Sequence, residues 1–367
     1  MPIQSPSGRA ATDRKPVLAT MPSDDPLWNT FVEDCLPPDG GSLRDHLHML
    51  QLSKDRRILI LNGSVGRRQR YRDLIFAILH KLMRRRTPVL IQDATWEPTS
   101  HALAKEFPWL RSLLPKLARL AIRAVDAPNV RYAVLSTSEV KTFPQVWGVA
   151  PERVVFQPFP NTLREYENMA TRDEGYLFAG GNSVRDYDLL EAALDGTGVP
   201  TRIAAAWQPQ RGLPHLQAGS TSHQEFMSLL ANCHAVVVPL RPTVRSAGQQ
   251  TYLNAMALAK PVIVIDAPGV RDYVIDGVTG VIVPHDIDRL RAAIRHVMDP
   301  ANAAHYRAMA ARAREDVLAR FTETQFRHGL LFHAGMITQE QFRQGVQPAG
   351  TAPLDLHPEL AASGGAS

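Results

Sequence analysis

Residues Ser246 to Pro284 read SAGQQTYLNAMALAKPVIVIDAPGVRDYVIDGVTGVIVP. Small residues at Ser246, Ala247 and Gly248 let the backbone turn sharply and approach a ligand closely. Gln250 to Ala259 holds strong helix formers and neither Pro nor Gly, with Leu253, Met256 and Ala257 on one face. Pro261 ends that helix, because proline disfavours helical geometry in the residue before it. The run from Pro261 to Ile265 is continuously apolar and mostly β-branched, which suits a strand buried on both faces of a parallel sheet. Asp266 to Gly269 forms a loop at that strand's carboxyl edge. Asp276-Gly277 then turns the chain into a short strand, Val281 to Val283, closed by Pro284. The order predicts an α/β fold with a helix N-terminus at the mouth of a parallel sheet, where phosphates bind. An ordinary βα unit without a ligand carries the same pattern.

A second constellation lies upstream. Gly180-Gly181-Asn182-Ser183-Val184-Arg185-Asp186-Tyr187 follows a predicted strand and opens a predicted helix, so free backbone N–H groups and Arg185 converge on one spot. That combination suits a diphosphate, with the guanidinium giving charge-assisted contacts. A glycine pair by itself is also what a tight turn requires. The remaining pattern alternates strands and helices. Strands are expected at Ile58 to Leu61, Pro88 to Ile91, Tyr132 to Leu135 and Val154 to Phe156, then at Tyr176 to Ala179, Arg202 to Ala206 and Ala235 to Pro239. Ser136 and Glu139 can cap the helix after Leu135. The expected divisions are a disordered segment over 1–25, one α/β domain over 26–165, a second over 166–320, helices over 321–344 and a disordered tail over 345–367.

The chain has 367 residues, 44% of them hydrophobic, enough for two ordinary domains. Its formal net charge is +5, with an Arg-rich excess that favours anionic partners. Cys35 and Cys233 are too few and too far apart for a disulfide framework, and Cys233 reads as a small buried residue. No signal pattern and no run of about 18 apolar residues occurs, so a cytoplasmic protein is expected. His46, His48, His80 and His101 have no metal-ligand spacing, and no metal site is expected.

The two segments, YLFAGGNSVRDYDLLEAAL and VVVPLRPTVRSAGQQTYLNAMALAKPVIVIDAPGVRDYVIDGVTGVIVP, together resemble the C-terminal domain of family-four-like GT-B glycosyltransferases. The resemblance covers about residues 176–320 well and is mostly architectural from about 57 to 160. It implies two Rossmann-like domains with parallel sheets facing across a cleft, and C-terminal helices packing back toward the N-terminal domain. The C-terminal domain would hold a nucleotide-diphosphate-sugar and the N-terminal domain the acceptor. Arg185 and the backbone of Gly180 and Gly181 would bind the donor diphosphate. Gly248, Gln249, Gln250 and Thr251 would surround phosphates and sugar. Transfer would proceed without a metal or other cofactor, with Arg and helix ends supplying the charge, and retention is implied by the resemblance alone. Where the family has a pair of glutamates, this chain has Ser246 and Asn254. Asn254 still offers an amide to a ribose hydroxyl. Arg241 or Arg245 is a candidate second charge beside the phosphates. Base selection is expected from the loop Trp207 to Gly212.

In the N-terminal half, Asp93 follows the strand Pro88 to Ile91 and is a candidate for orienting an acceptor hydroxyl or taking its proton; a helix cap or turn residue would look the same. Gly63 and Gly66 can face the cleft or simply turn. Arg67 to Arg72 and Lys81 to Arg86 flank one predicted helix. From Trp109 to Ala124 an apolar arc of Leu110, Leu113, Leu114, Leu117, Leu120 and Ala121 opposes Arg111, Lys116, Arg119 and Arg123. A basic amphipathic helix of this kind lies either on an anionic membrane surface, with a lipid-linked acceptor, or in a core with a solvated basic face. Nucleic-acid binding is not expected, since the Arg runs lack interleaved aromatics or a reading motif. The reading is therefore a sugar transferase. A nucleotide-sugar epimerase of the same architecture would call for more carboxylates and histidines than the chain shows. The remaining alternative is a catalytically silent module of the same fold, favoured by Ser246 and Asn254.

Overall fold

A computed structural model of the chain describes residues 14–35, 42–63, 71–98 and 112–346. Two six-stranded sheets, each wholly parallel, form its frame. The first contains β1 (Val17–Ala19), β2 (Val32–Asp34), β3 (Ile58–Asn62), β4 (Val89–Gln92), β5 (Val130–Val134) and β6 (Val154–Phe156), in the order β2-β1-β3-β4-β5-β6. Its helices are α1 (Pro26–Phe31), α2 (Leu43–Leu52), α3 (Arg72–Leu82), α4 (Leu114–Val125) and α5 (Thr137–Trp147). The second contains β7 (Leu177–Gly180), β8 (Thr201–Ala204), β9 (Leu216–Gly219), β10 (Ala235–Val238), β11 (Val262–Ile265) and β12 (Val281–Val283), in the order β12-β11-β10-β7-β8-β9. Around it lie α6 (Tyr187–Leu194), α7 (His223–Asn232), α8 (Gln249–Ala257), α9 (Val270–Tyr273), α10 (Ile287–Met298) and α11 (Ala303–Arg320).

The second sheet's order reverses between β7 and β10. In open α/β sheets that reversal leaves a crevice outside the carboxyl ends of the two strands, because their following loops run to opposite faces. The loops in question are Gly181 to Asp186 and Leu240 to Gly248, the two segments singled out in the sequence. The apolar run after Pro261 becomes β11 and is buried on both faces, as a strand covered by helices requires.

The chain then returns to the first sheet. α12 (Glu323–His333) and α13 (Gln339–Val346) bring Phe326, Leu330, Leu331 and Ile337 into one buried cluster with Val17, Trp28, Ile60 and Leu90. This is the expected packing of the C-terminal helices toward the N-terminal domain.

Two expectations are corrected. Residues 14–25 are not disordered: Val17–Ala19 is a buried strand between β2 and β3, with Trp28 packed in the same cluster. Leu216–Gly219 adds an edge strand absent from the sequence-based order. Within the described residues, the amphipathic helix expected from Trp109 to Ala124 runs from Leu114 to Val125. Residues 1–13, Gly66, the Arg67 to Arg70 run, His101, Trp109 to Arg111 and the tail from 347 lie outside the described residues.

Candidate active site

A cavity of about 390 Å³ opens at the reversal point and is closed on its other side by the first sheet's loops. It is lined by Gly181 to Ser183 and Arg185 after β7, by Arg245 to Thr251 and Asn254 around α8, and by Asp93, Thr95, Leu135 and Phe159 from the N-terminal half. Gly180 is not on the wall; its carbonyl accepts from Arg185 Nε at 3.1 Å.

α8 begins at Gly248, whose φ of +92° is a left-handed conformation that favours glycine. Among the described residues no side chain caps this helix, which leaves the N–H groups of Gln249 and Gln250 at the cavity wall without a side-chain cap. Gln249 is buried there, and its Nε2 has no hydrogen-bond partner among the described residues. An unpaired buried donor beside a helix N-terminus is a ready anion or hydroxyl contact. Gly181 has φ +96°, and a Cβ on it would lie 3.2 Å from an Arg185 terminal nitrogen, so glycine lets the guanidinium lie flat against the loop.

Arg185 is only 6% exposed. Its Nε donates to the Gly180 carbonyl, Nη1 to the Ser183 carbonyl at 2.7 Å and Nη2 to Thr251 Oγ1 at 3.0 Å. Three of the five N–H groups of a guanidinium thus strap the end of β7 to the first turn of α8. The charge-assisted contacts expected with a diphosphate are left to the remaining N–H groups. Arg245 is the more open cation: its Nη2 donates to Ser183 Oγ at 2.7 Å, Nη1 to the Ser246 carbonyl at 3.2 Å, and Nε stands 3.8 Å from Glu97 without a hydrogen bond. Arg241 donates to the Arg185 carbonyl and is not on the cavity wall.

Asn254 is on the cavity wall and nearly fully buried. Its Oδ1 accepts from Thr162 N at 2.8 Å and its Nδ2 donates to Thr162 Oγ1 at 3.0 Å. Gln250 also donates to Thr162 Oγ1, at 3.2 Å. The loop Trp207 to Gly212, where base selection is expected, is not on the cavity wall: Trp207 donates to Asp188, and the backbone N–H groups of Gln210 and Arg211 donate to Glu191. His223, Phe226 and Met227 of α7 line the cavity instead. Their spacing of three and four residues was visible in the sequence only as helix core.

Across the cavity, Asp93 has φ +55° and accepts from Thr95 Oγ1 at 3.0 Å. Burial pushes its carboxyl up to about 6, while the Thr95 hydrogen bond and Arg245 pull the other way. A group of that kind changes charge near neutral pH and suits proton transfer.

By sequence, Glu139 has only a capping role. Ser136 does cap α5, accepting from Glu139 N at 3.1 Å. The Glu139 carboxylate instead crosses to the other half of the molecule and accepts from Ser246 Oγ at 2.6 Å. Nearby, Asp272 accepts from Thr137 N at 2.9 Å and Thr137 Oγ1 at 2.7 Å, and Tyr273 Oη donates to the Leu135 carbonyl at 2.6 Å. The two halves are therefore joined along one wall of the cavity.

Residues 199–299 match the family model described as Glycosyl transferases group 1. Over 97 residues the chain is 37% identical to a glycogen synthase of Mycobacterium tuberculosis, a stretch that is 26% of this chain and 23% of that relative. The chain thus matches less than a quarter of the curated relative's length. Among solved structures, Anabaena HepE in complex with UDP-glucose superposes with a TM-score of 0.59 at 13% identity, over 88% of this chain and 99% of that one. A sucrose-phosphate synthase of Thermosynechococcus elongatus gives 0.56 at 15% identity, over 85% and 80%. The fold is GT-B, and residues 199–299 in its second half are similar to the group 1 glycosyltransferase model.

Proposed function

We propose that the protein is a glycosyltransferase that moves a sugar from a nucleotide-diphosphate donor to an acceptor hydroxyl. The observation that carries the reading is the crevice between β7 and β10, where an uncapped helix N-terminus, the unpaired Gln249 donor, Arg185 and Arg245 meet inside a group 1 glycosyltransferase segment. HepE, of the same fold, has been solved with UDP-glucose, which supports a nucleotide-sugar as donor. In this reading the diphosphate sits at the start of α8 and the nucleoside extends toward His223 and Phe226. The sugar faces Ser246 and Asp93. Fixed N–H dipoles and Arg charge stabilise the leaving diphosphate as the glycosidic bond breaks. Asp93 orients the acceptor hydroxyl or takes its proton. Neither a divalent metal nor a further cofactor is called for in this scheme, and retention at the anomeric carbon follows the resemblance.

A thermal-shift panel of nucleotide-sugars tests the donor site, because a ligand bound only by the folded state raises its stability. A donor hydrolysis or transfer assay with chelator present then tests turnover. Binding without turnover would favour the silent module that Ser246 and Asn254 suggest.

One observation favours a membrane-side setting. Leu113, Leu117 and Leu120 are 46%, 48% and 62% exposed, so most of the apolar arc faces outward, while Leu114, Ile122 and Val125 are buried. Lys116, Arg119 and Arg123 are exposed on the same helix. Leu82 and Met83, also exposed, end α3, where Lys81 Nζ bonds the Arg123 and Asp126 carbonyls. Leucines flanked by cations match an anionic bilayer surface. We place the enzyme in the cytoplasm, at the inner face of a membrane, acting on a lipid-linked acceptor. Among the described residues no helix is long and apolar enough to cross a membrane.

A further inference from the structure

The carboxylate that meets Ser246, at the mouth of α8, comes from the opposite half of the molecule. Glu139 is 2% exposed, and its Oε2 accepts from both Ser246 Oγ at 2.6 Å and Ser136 Oγ at 2.9 Å. A serine hydroxyl has one proton and two lone pairs. With its proton held by Glu139, Ser246 Oγ can present only lone pairs to the cavity it lines. It is then an acceptor for a ligand hydroxyl and not a donor to a ligand oxygen.

Geometry keeps this arrangement tight. Gly269 has φ +83°, and a Cβ there would lie 2.6 Å from Ser136 Cβ and 2.8 Å from Ser246 Cβ. Three segments thus meet with no room for a methyl group, and Glu139 is held within reach of Ser246. The Asp272–Thr137 contacts and the Tyr273–Leu135 contact stand beside it and join the same halves independently. Ser246 therefore belongs to the wall shared with the N-terminal half, whereas His223 and Phe226 belong to α7. A donor with its diphosphate at the start of α8 and its nucleoside toward α7 directs its sugar toward Ser246.

We propose that Glu139 is a positioning residue for the donor sugar. It fixes Ser246 Oγ as the acceptor of a sugar hydroxyl through a contact that joins the two halves. The inference rests on the donor-site reading above. It leaves nucleoside diphosphate recognition independent of Glu139.

The test is isothermal titration of the full chain with UDP-glucose, ADP-glucose and GDP-mannose, and with UDP, ADP and GDP, on wild type, Glu139→Gln, Ser246→Ala and the double variant. Gln keeps the shape but lets its amide donate to Ser246, which reverses the hydroxyl. Affinity for the bound sugar-nucleotide is expected to fall about tenfold in each single variant, the scale of a hydrogen bond to a charged group. Affinity for the matching diphosphate should stay within about twofold, and the double variant should be no worse than Ser246→Ala, because both act through one contact. Equal losses for both ligands would show a merely structural role and overturn the proposal. So would an unchanged affinity for the sugar-nucleotide, or additive losses in the double variant. If Glu139→Gln does not fold, the same ligand comparison on Ser246→Ala decides. A wild-type protein that binds none of the six would instead refute the donor site itself, and this inference with it. A wild type that binds diphosphates with no preference for the sugar-bearing form would overturn the inference alone.

Discussion

Replacing Asp93 with Asn should make the protein more stable and less active, and both effects should follow pH. Burial raises the Asp93 carboxyl to about 6, against an ordinary aspartate value near 4. The folded state therefore holds this proton more tightly than the unfolded chain. Below about pH 4 both states are protonated and the site adds nothing to the pH dependence. As pH rises from about 4 to about 6 the folded state loses stability, because it must carry an unfavourable charge. Two pH units at about 1.4 kcal/mol each give about 3 kcal/mol as the upper limit of that loss. The substituted amide cannot ionise, its Oδ1 can keep the Thr95 hydrogen bond, and asparagine tolerates the left-handed backbone found at this position. Asp93→Asn should thus gain up to about 3 kcal/mol at pH 8 and almost nothing at pH 4, read by urea unfolding at a series of pH values.

The activity should move the other way. If Asp93 must be ionised to accept a proton, kcat/KM rises with pH through about 6 and at pH 5 stands at roughly a tenth of its plateau. The Asp93→Asn variant should lose about 10²- to 10⁴-fold and no longer show that acidic limb. A variant less stable than wild type at pH 8 would refute the burial argument. An acidic limb near pH 6 that survives in the variant would refute the catalytic role.

Other expected outcomes follow from neighbouring geometry. Arg185→Ala should reduce turnover at least about 100-fold and lower Tm as well, since it removes both charge and the strap between β7 and α8; unchanged turnover would refute the enzyme reading. Arg185→Lys should keep the charge but recover little, because an ammonium cannot reproduce the three-way fork. Gly269→Ala places a methyl group against Ser136 and Ser246 at a left-handed backbone position, and should cost about 1–3 kcal/mol in thermal or urea unfolding. The paired change Leu117→Glu and Leu120→Glu alters exposed positions, so stability should stay within about 0.5 kcal/mol per site. Flotation with anionic liposomes at low salt should nevertheless be lost, and wild-type protein that fails to float would remove the membrane setting.

The parts of this molecule that were legible in its sequence are those whose physics is local. β11 announced itself because a strand buried on both faces must be apolar at every position. The start of α8 did so because small residues and a glycine before a helix have few other uses. β1 gave no such signal: three residues following a proline have no periodicity, and their burial comes from β3, Trp28 and the returning α12. The roles expected of Arg185 and Asn254 came from the family resemblance, and nothing local shows that their hydrogen bonds go to Thr251 and Thr162, partners 66 and 92 residues away. Glu139 shows the limit most clearly. Its spacing from Ser136 fits a capping box, and nothing local tells that its carboxylate leaves the helix end for a serine 107 residues on. Ser246 stands where a glutamate was expected, so the C-terminal half read alone lacks a carboxylate at that point. The folded chain has one there, contributed by the other half and held against Ser246 Oγ. A glutamate on the C-terminal segment would reach the cavity by its own length, whereas Glu139 acts through the serine hydroxyl between them, so the substitution that looks like a loss in sequence divides one role between two residues from different halves.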